Sequence, residues 1–156
     1  RWEVVIPANS TYGGASMDID AKTKNALENL IFYGIVSSQD PAKGTVRVIR
    51  EDKENKVTAE LMVLQRGTKD TKDFWIPAIG DQVLCIQTPN FSGKGVGDGF
   101  VLGAFYSTRD VPVEDDAATQ SIHFPDGSYV QYKDGNINIH ATGDVNITSG
   151  GHINLN

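Results

Sequence analysis

Histidines and a single cysteine are the residues of this sequence with the most versatile side-chain chemistry. His140 and His152 stand twelve positions apart near the C-terminal end. If three chains met around one axis, three copies of either imidazole could lie together there and hold a metal ion. A polar position on an outer face is the more ordinary role, and we expect no cofactor. Cys85 stands alone, which excludes an internal disulfide framework and a cysteine-rich zinc site.

Other segments with chemical potential favour structural roles. The glycine-rich segment 93–97 lacks the spacing of a phosphate-binding loop and precedes no helical pattern. Cys85 lies in a predicted strand, where a small buried hydrophobe is expected. The acidic run 114–116 is typical of a solvated linker, and His123 is expected to face outward from a strand. No serine or aspartate stands in a nucleophile-elbow context, so we predict no catalytic site and no enzymatic activity.

Composition limits the class of partner. Hydrophobic residues make up 39% and charged residues 22% of the 156-residue chain, which suits a packed domain. The formal net charge is −6. Because a nucleic acid is bound through a positive field, this balance argues against nucleic acid as the main partner.

The elements that position these residues begin with an arm and a short helix, residues 1–30. A helix is predicted from about Ala21 to Leu30, where Asp18 and Asp20 can cap its first turn. An apolar stripe on this helix includes Leu27, Leu30 and Ile31. Such a stripe, outside the following domain, predicts a lid on that domain or a contact with a partner.

Residues 31–107 have the pattern of strands separated by polar or glycine-rich turns. Five strands are predicted, at residues 31–37, 45–50, 57–64, 83–86 and 100–106. Five short strands with little helix favour a small all-β barrel, and the OB-fold is the commonest five-stranded solution. Residues 108–118 are predicted to be a linker.

A repeat occupies residues 119–156. Glycine recurs every eight residues, at Gly127, Gly135, Gly143 and Gly151. After the last three of these glycines, apolar residues alternate with polar ones, and the apolar pairs are Ile137/Ile139, Val145/Ile147 and Ile153/Leu155. Alternation places each pair on one face of a short strand. One chain cannot cover this face or its open edges, so the repeat predicts an intertwined β-helix built from three chains, with these six residues in the trimer core.

Several stretches resemble the phage baseplate assembly protein V family. The resemblance covers about residues 30–156, and the order of its parts carries more weight than any single motif. The matching stretches are Tyr33-Gly-Ile-Val-Ser37, Ile79-Gly-Asp-Gln-Val-Leu84, Gly99-Phe-Val-Leu-Gly-Ala-Phe-Tyr-Ser107 and Ile122-His-Phe-Pro-Asp-Gly-Ser-Tyr-Val130.

This resemblance implies a trimeric central spike of a contractile tail, an R-type bacteriocin or a related injection system. Its OB domains would sit beneath a baseplate hub, which Leu27, Leu30 and Ile31 are expected to contact. Its β-helix would pierce the target cell envelope on contraction. The resemblance also implies assembly in the bacterial cytoplasm and release as part of a particle. Some members of the family bind iron through a tip His-x-His motif. This sequence has none, so its tip is expected to be metal-free or capped by a separate tip protein.

A nucleic-acid-binding OB module is the alternative from another class. Its stacking and phosphate-binding residues would come from Tyr33, Arg47, Arg50, Phe74 and Trp75. The acidic balance argues against this alternative, and it leaves the C-terminal repeat without a role.

Overall fold

The computed structural model describes residues 20–90 and 97–155, which divide between two compact units. The first unit extends through Ser107 and the second begins at Thr108. The regular structure of the described chain is mostly β, with one short α-helix, α1 (Ala21–Leu30), and a 3-10 turn at Glu51–Lys53, which confirms the predicted all-β class and the helix bounds. No helix in this described part has the length and apolarity needed to span a bilayer. The predicted arm before Asp20, most of the 93–97 loop and Asn156 lie outside the described residues.

The first unit is a closed five-stranded barrel. The unit has six described strands, β1 (Ile31–Asp40), β2 (Thr45–Arg50), β3 (Lys56–Val57), β4 (Leu61–Val63), β5 (Gln82–Gln87) and β6 (Gly99–Ala104). All of them except β3, which pairs only with β2, form the ring. The sheet runs β1-β5-β6-β4-β2, and β2 pairs with β1 to close the ring. Every neighbouring pair in the ring is antiparallel except β4 and β6, which are parallel. This arrangement is consistent with an OB-fold.

Strand β1 closes the barrel by pairing with both β5 and β2, and it can do so because it bends. Its first half pairs with β5 and its second half with β2, and the two pairings overlap at Ile35. Gly34 lies just before the overlap, where an added Cβ would overlap the Ile49 carbonyl oxygen and the Val48 side chain. Ser37 is the extra residue of a bulge, because Val36 pairs with Val48 and Ser38 with Arg47. Glycine and a bulge together give one strand the curvature that barrel closure requires.

The predicted third strand, residues 57–64, is two separate strands, so that prediction is wrong. β3 pairs with the end of β2, and β4 pairs with its beginning. Between them, the Thr58 hydroxyl accepts a hydrogen bond from the Val48 backbone N–H at 3.0 Å. The Thr58 N–H donates to the Val48 carbonyl oxygen at 2.9 Å. Because a side chain takes the place of a backbone acceptor here, the regular ladder is interrupted.

The barrel has one continuous apolar core. The buried side chains come from all five barrel strands and are Phe32, Val36, Val46, Val48, Leu61, Val63, Val83, Cys85 and Val101. Trp75 and Ile76 pack against this cluster from the segment between β4 and β5. Cys85 is fully buried, as predicted, and its burial raises the pKa of the thiol to about 12. The thiolate is therefore scarce at neutral pH, which fits a packing role.

Helix α1 is attached to the barrel by a buried arginine. Asp20 caps the helix by accepting a hydrogen bond from the Thr23 N–H at 2.9 Å. The Arg50 guanidinium donates to the Asn29 side-chain oxygen at 2.5 Å and to the Asp52 carboxylate at 3.1 Å. It also lies 4.3 Å above the Phe32 ring. These contacts pair the positive charge of Arg50, and this pairing offsets the free-energy cost of burying it.

The second unit contains a three-stranded antiparallel sheet. Its strands β7 (Gln120–His123), β8 (Tyr129–Lys133) and β9 (Asn136–His140) follow one another in space as in sequence. Pro125, Asp126 and Gly127 form the turn between β7 and β8. Asp134 and Gly135, both in the left-handed region with φ of 50° and 78°, form the two-residue turn between β8 and β9. Such a pair is the preferred loop of a tight hairpin.

Candidate assembly surface

One face of the three-stranded sheet is apolar. Ile122, Val130 and Ile139 stand directly opposite one another on the three strands. Tyr132 and Ile137 form the next pair on the same face. Because paired residues of antiparallel strands share a face, these side chains make one contiguous surface. We call this surface, formed by Ile122, Val130, Tyr132, Ile137 and Ile139, the apolar face.

The apolar face is uncovered in the single chain. Ile137 exposes 74% of its surface and Ile139 exposes 61%. No residue of the second unit that the structure describes, from Thr108 to Leu155, is buried. Exposed and contiguous apolar surfaces are typical of interaction sites, so the apolar face is the candidate surface of this unit.

The remaining predicted core residues follow β9. Residues 141–155 form no strand in the described structure, and the apolar side chains predicted for the core in this range are also exposed. Val145 and Ile147 expose 54% and 69% of their surfaces, and Ile153 and Leu155 expose 52% and 90%. The six residues predicted for a trimer core therefore share one property in the isolated chain, which is an apolar side chain in contact with water.

The repeat glycines occupy two kinds of position. Gly127 and Gly135 lie in the two hairpin turns, with left-handed φ values of 90° and 78°. Gly143 and Gly151 lie at bends of the segment after β9. The eight-residue period therefore places a change of chain direction at each glycine.

The opposite face of the sheet is polar and contains a row of three stacked rings. The Tyr129 ring lies between His123 and His140, with centroid distances of 5.4 Å and 5.2 Å. The Glu114 carboxylate lies at one end of this row, 3.2 Å from His123 Nε2, and accepts from Gln131 Nε2 at 2.8 Å. These contacts hold the pKa of Glu114 below its usual value, through Gln131 first and His123 second. Glu114, in the predicted linker, is thus bonded to the sheet.

The two histidines considered for a metal site have different surroundings. His140 stacks on Tyr129 on the polar face, whereas His152 is exposed near the end of the described chain. Within residues 20–90 and 97–155, no three His, Cys, Asp or Glu side chains gather into a metal-binding group. A metal held by symmetry-related copies of one histidine in an assembly stays the less favoured alternative to the prediction of no cofactor.

The residues predicted to contact a hub lie at the junction of α1 and β1. Leu27 is exposed on the helix, Leu30 is half-buried at its end, and Ile31 begins β1 with 61% of its surface exposed. Tyr33, two residues further along β1, makes an edge-to-face contact with Phe105 at 6.3 Å. Aromatic and aliphatic side chains thus continue from the predicted contact onto the outside of the barrel.

The side chains proposed for nucleic-acid binding are mostly engaged elsewhere. Arg50 is buried under α1, and Arg47 lies 3.6 Å from Glu60. The Trp75 indole N–H donates to the Leu64 carbonyl oxygen at 2.9 Å. Phe74 and Tyr33 remain exposed. A groove that binds nucleic acid needs cationic side chains that are free to contact phosphates, and Arg47 and Arg50 are both engaged by other groups of the chain.

The stacked row on the polar face was not predicted from the sequence. The signal for it lies in the two turns, because Pro125-Asp-Gly127 and Asp134-Gly135 each predict a tight hairpin. Once both loops are fixed, the register follows and brings His123, Tyr129 and His140 opposite one another.

Comparison of the chain with protein-family models and with curated proteins found no match.

Proposed function

We propose that this protein is the structural central spike of a contractile tail and works as a homotrimer without enzymatic activity. The observation that carries the proposal is the second unit, whose described residues leave every apolar side chain unburied. The barrel before it and the order of the sequence motifs agree with the baseplate assembly protein V resemblance.

The physical argument for association is the uncovered apolar face of the second unit. Burial of apolar surface is the main force that stabilises folding and association in water, and the single chain leaves this face exposed. Strands β7 and β9 also leave their outer edges without a partner strand in the described chain. Three copies of the segment would cover these faces and edges together, with Ile137, Ile139, Val145, Ile147, Ile153 and Leu155 inside an intertwined β-helix.

The two ends of this spike would have different partners. Leu27, Leu30 and Ile31 would contact the baseplate hub at the end of the tail tube. The C-terminal end would point toward the target cell envelope, with or without a separate tip protein. The proposed role is mechanical, since sheath contraction would drive the tube and the spike into the envelope. The subunit would assemble in the bacterial cytoplasm and leave it within a phage tail or bacteriocin.

The decisive measurement is the mass of the purified chain in solution, by light scattering coupled to size exclusion. A mass about three times 16.9 kDa that persists on dilution is the expected result. A stable monomer would contradict the proposal and remove the reason for the repeat. Oligonucleotide binding by that monomer would then favour the alternative OB module.

A further inference from the structure

Three aspartates of the chain are each followed by glycine, at positions 98–99, 126–127 and 134–135. This pair has a chemistry of its own, because the glycine nitrogen can attack the side-chain carboxyl carbon of the preceding aspartate. Glycine carries no side chain that would obstruct the approach. The attack is favoured by a carboxyl group that becomes protonated, a nitrogen without a hydrogen bond and a backbone with room to rotate. The structure gives the three pairs different surroundings.

The pair Asp98-Gly99 is protected by the barrel. Gly99 is the first residue of β6, lies opposite Gln87 on β5 and is buried. The Asp98 carbonyl oxygen accepts hydrogen bonds from the Thr88 N–H at 2.8 Å and from the Thr88 hydroxyl at 3.1 Å. A Cβ added at Gly99 would overlap the Leu61 side chain. The backbone here therefore lacks the room that closing a new ring requires.

The pair Asp126-Gly127 is held by hydrogen bonds. The Asp126 carboxylate accepts from the Ser128 N–H at 2.9 Å, from the Ser128 hydroxyl at 3.0 Å and from the Thr142 hydroxyl at 2.8 Å. These bonds, that of the Ser128 backbone first, lower the pKa of Asp126, so its protonated form is scarcer than that of a free aspartate. The Gly127 N–H donates to the Phe124 carbonyl oxygen at 3.1 Å. Both reacting groups are therefore engaged.

The pair Asp134-Gly135 has neither protection. Both residues are exposed, in the two-residue turn between β8 and β9. The Asn136 side-chain amide bonds to the Asp134 backbone carbonyl oxygen at 3.4 Å, not to its carboxylate. Within residues 20–90 and 97–155, no hydrogen bond reaches the Asp134 carboxylate or leaves the Gly135 N–H.

We infer that Asp134 is a modification site, where the folded chain converts aspartate to isoaspartate. The Gly135 nitrogen forms a bond to the Asp134 carboxyl carbon and gives up its proton, and the carboxyl group gives up a hydroxyl. One water leaves, and a five-membered succinimide remains. Water then adds to the backbone carbonyl carbon of this ring and breaks its bond to the nitrogen, so the chain continues through the former side chain. The water lost is regained, and no other reactant is needed.

The isoaspartate link changes the loop that sets the register of β8 and β9. It adds one backbone atom to a turn whose neighbours Lys133 and Asn136 pair across the two strands. Because loop length fixes the register of a hairpin, the modification should loosen the next pair, Tyr132 with Ile137. Ageing at Asp134 would therefore disturb the apolar face. The new backbone carboxylate is a substrate for a carboxyl methyltransferase that recognises isoaspartate.

The test ages the whole chain in warm, mildly acidic buffer, with circular dichroism to show that it stays folded. Methylation by an isoaspartate methyltransferase with labelled S-adenosylmethionine counts the product, and peptide mapping with electron-transfer fragmentation assigns its position. Isoaspartate should form several-fold faster at Asp134 than at Asp98 or Asp126. In urea, where the fold is lost, the three positions should react at similar rates.

Two variants separate the reaction from general damage. Asp134→Glu cannot close a five-membered ring, so it should remove most of the methylation. Ser128→Ala removes a hydrogen bond to Asp126 and should speed isoaspartate formation there several-fold, with the rate at Asp134 unchanged. Equal rates at the three positions of the folded protein would contradict the inference. Isoaspartate that forms at Asp134 only in urea would show that the hairpin turn itself prevents the reaction, and the inference would be wrong.

Discussion

The barrel and the second unit are both built from short strands, but only the barrel closes its sheet within one chain. In the barrel, β1 pairs on both sides and the sheet closes, so nine apolar side chains are buried in one chain. In the second unit, β7 and β9 are the edge strands of an open sheet, and the described residues bury no side chain. Closure within one chain supplies a core, whereas the open sheet has no cover among the described residues and would obtain one from the other chains of the proposed trimer.

The largest expected effect comes from placing a charge on the apolar face. In the proposed trimer, Ile139→Asp would bury three carboxylates around one axis, at a cost on the order of several kcal/mol each. The trimer should dissociate while the barrel stays folded. Light scattering checks the mass, and circular dichroism checks the barrel.

Asn138→Asp is the matched control for this variant. Asn138 is the neighbouring residue on the same strand, but it lies on the polar face and bonds to Gln131. The Asn138→Asp variant should leave the mass of the protein in solution unchanged. Equal behaviour of the two variants would show that the apolar face is not the contact between chains.

A smaller effect is expected from adding a methyl group at Gly34, where β1 bends. Gly34→Ala would force a Cβ into the Ile49 carbonyl oxygen and Val48. Overpacking of this kind lowers the free energy of unfolding by about 1–3 kcal/mol. Urea denaturation should show the loss for the barrel, with the mass of the assembly unchanged.

Gly103→Ala provides the comparison within the same sheet. Gly103 lies on β6, and an added Cβ there meets no atom within 4 Å. Its effect should be much smaller than that of Gly34→Ala. A loss of the same size at both positions would mean that closure does not depend on the close approach at Gly34.

The smallest expected effect is a pH dependence of the second unit. The pKa of Glu114 is lowered from its ordinary value of 4.5 in the folded chain. The ionised carboxylate therefore adds to the free energy of unfolding above pH 4.5, and this stabilisation is lost as the pH falls through the lowered pKa. Glu114→Gln should therefore unfold at a lower temperature than the parent near neutral pH, and the difference should shrink in acid. Thermal scans across pH measure it, and Gln131→Leu should reduce the same acid-dependent difference. A constant difference at every pH would contradict the role of the carboxylate.

Much of the barrel could be predicted because its signals are local. The bounds of α1 and β2 match the predictions, and β5 differs by one residue at each end. The break at Thr58 could not be predicted, since it depends on a hydroxyl of one strand reaching the backbone of another. The burial of Arg50 could not be predicted for the same reason, since it depends on contacts with Asn29 and Phe32 on other elements.

The sequence by itself determined the period of the repeat and the alternation that puts Ile137 and Ile139 on one side of a strand, because both follow from backbone geometry. Only the tertiary structure decided which side chains stack on or bond to one another. It brought His123 and His140 onto Tyr129, attached Glu114 to the sheet and left the Thr45 hydroxyl facing no partner among the described residues. These contacts depend on register, bulges and turns, which place residues that are distant in sequence side by side.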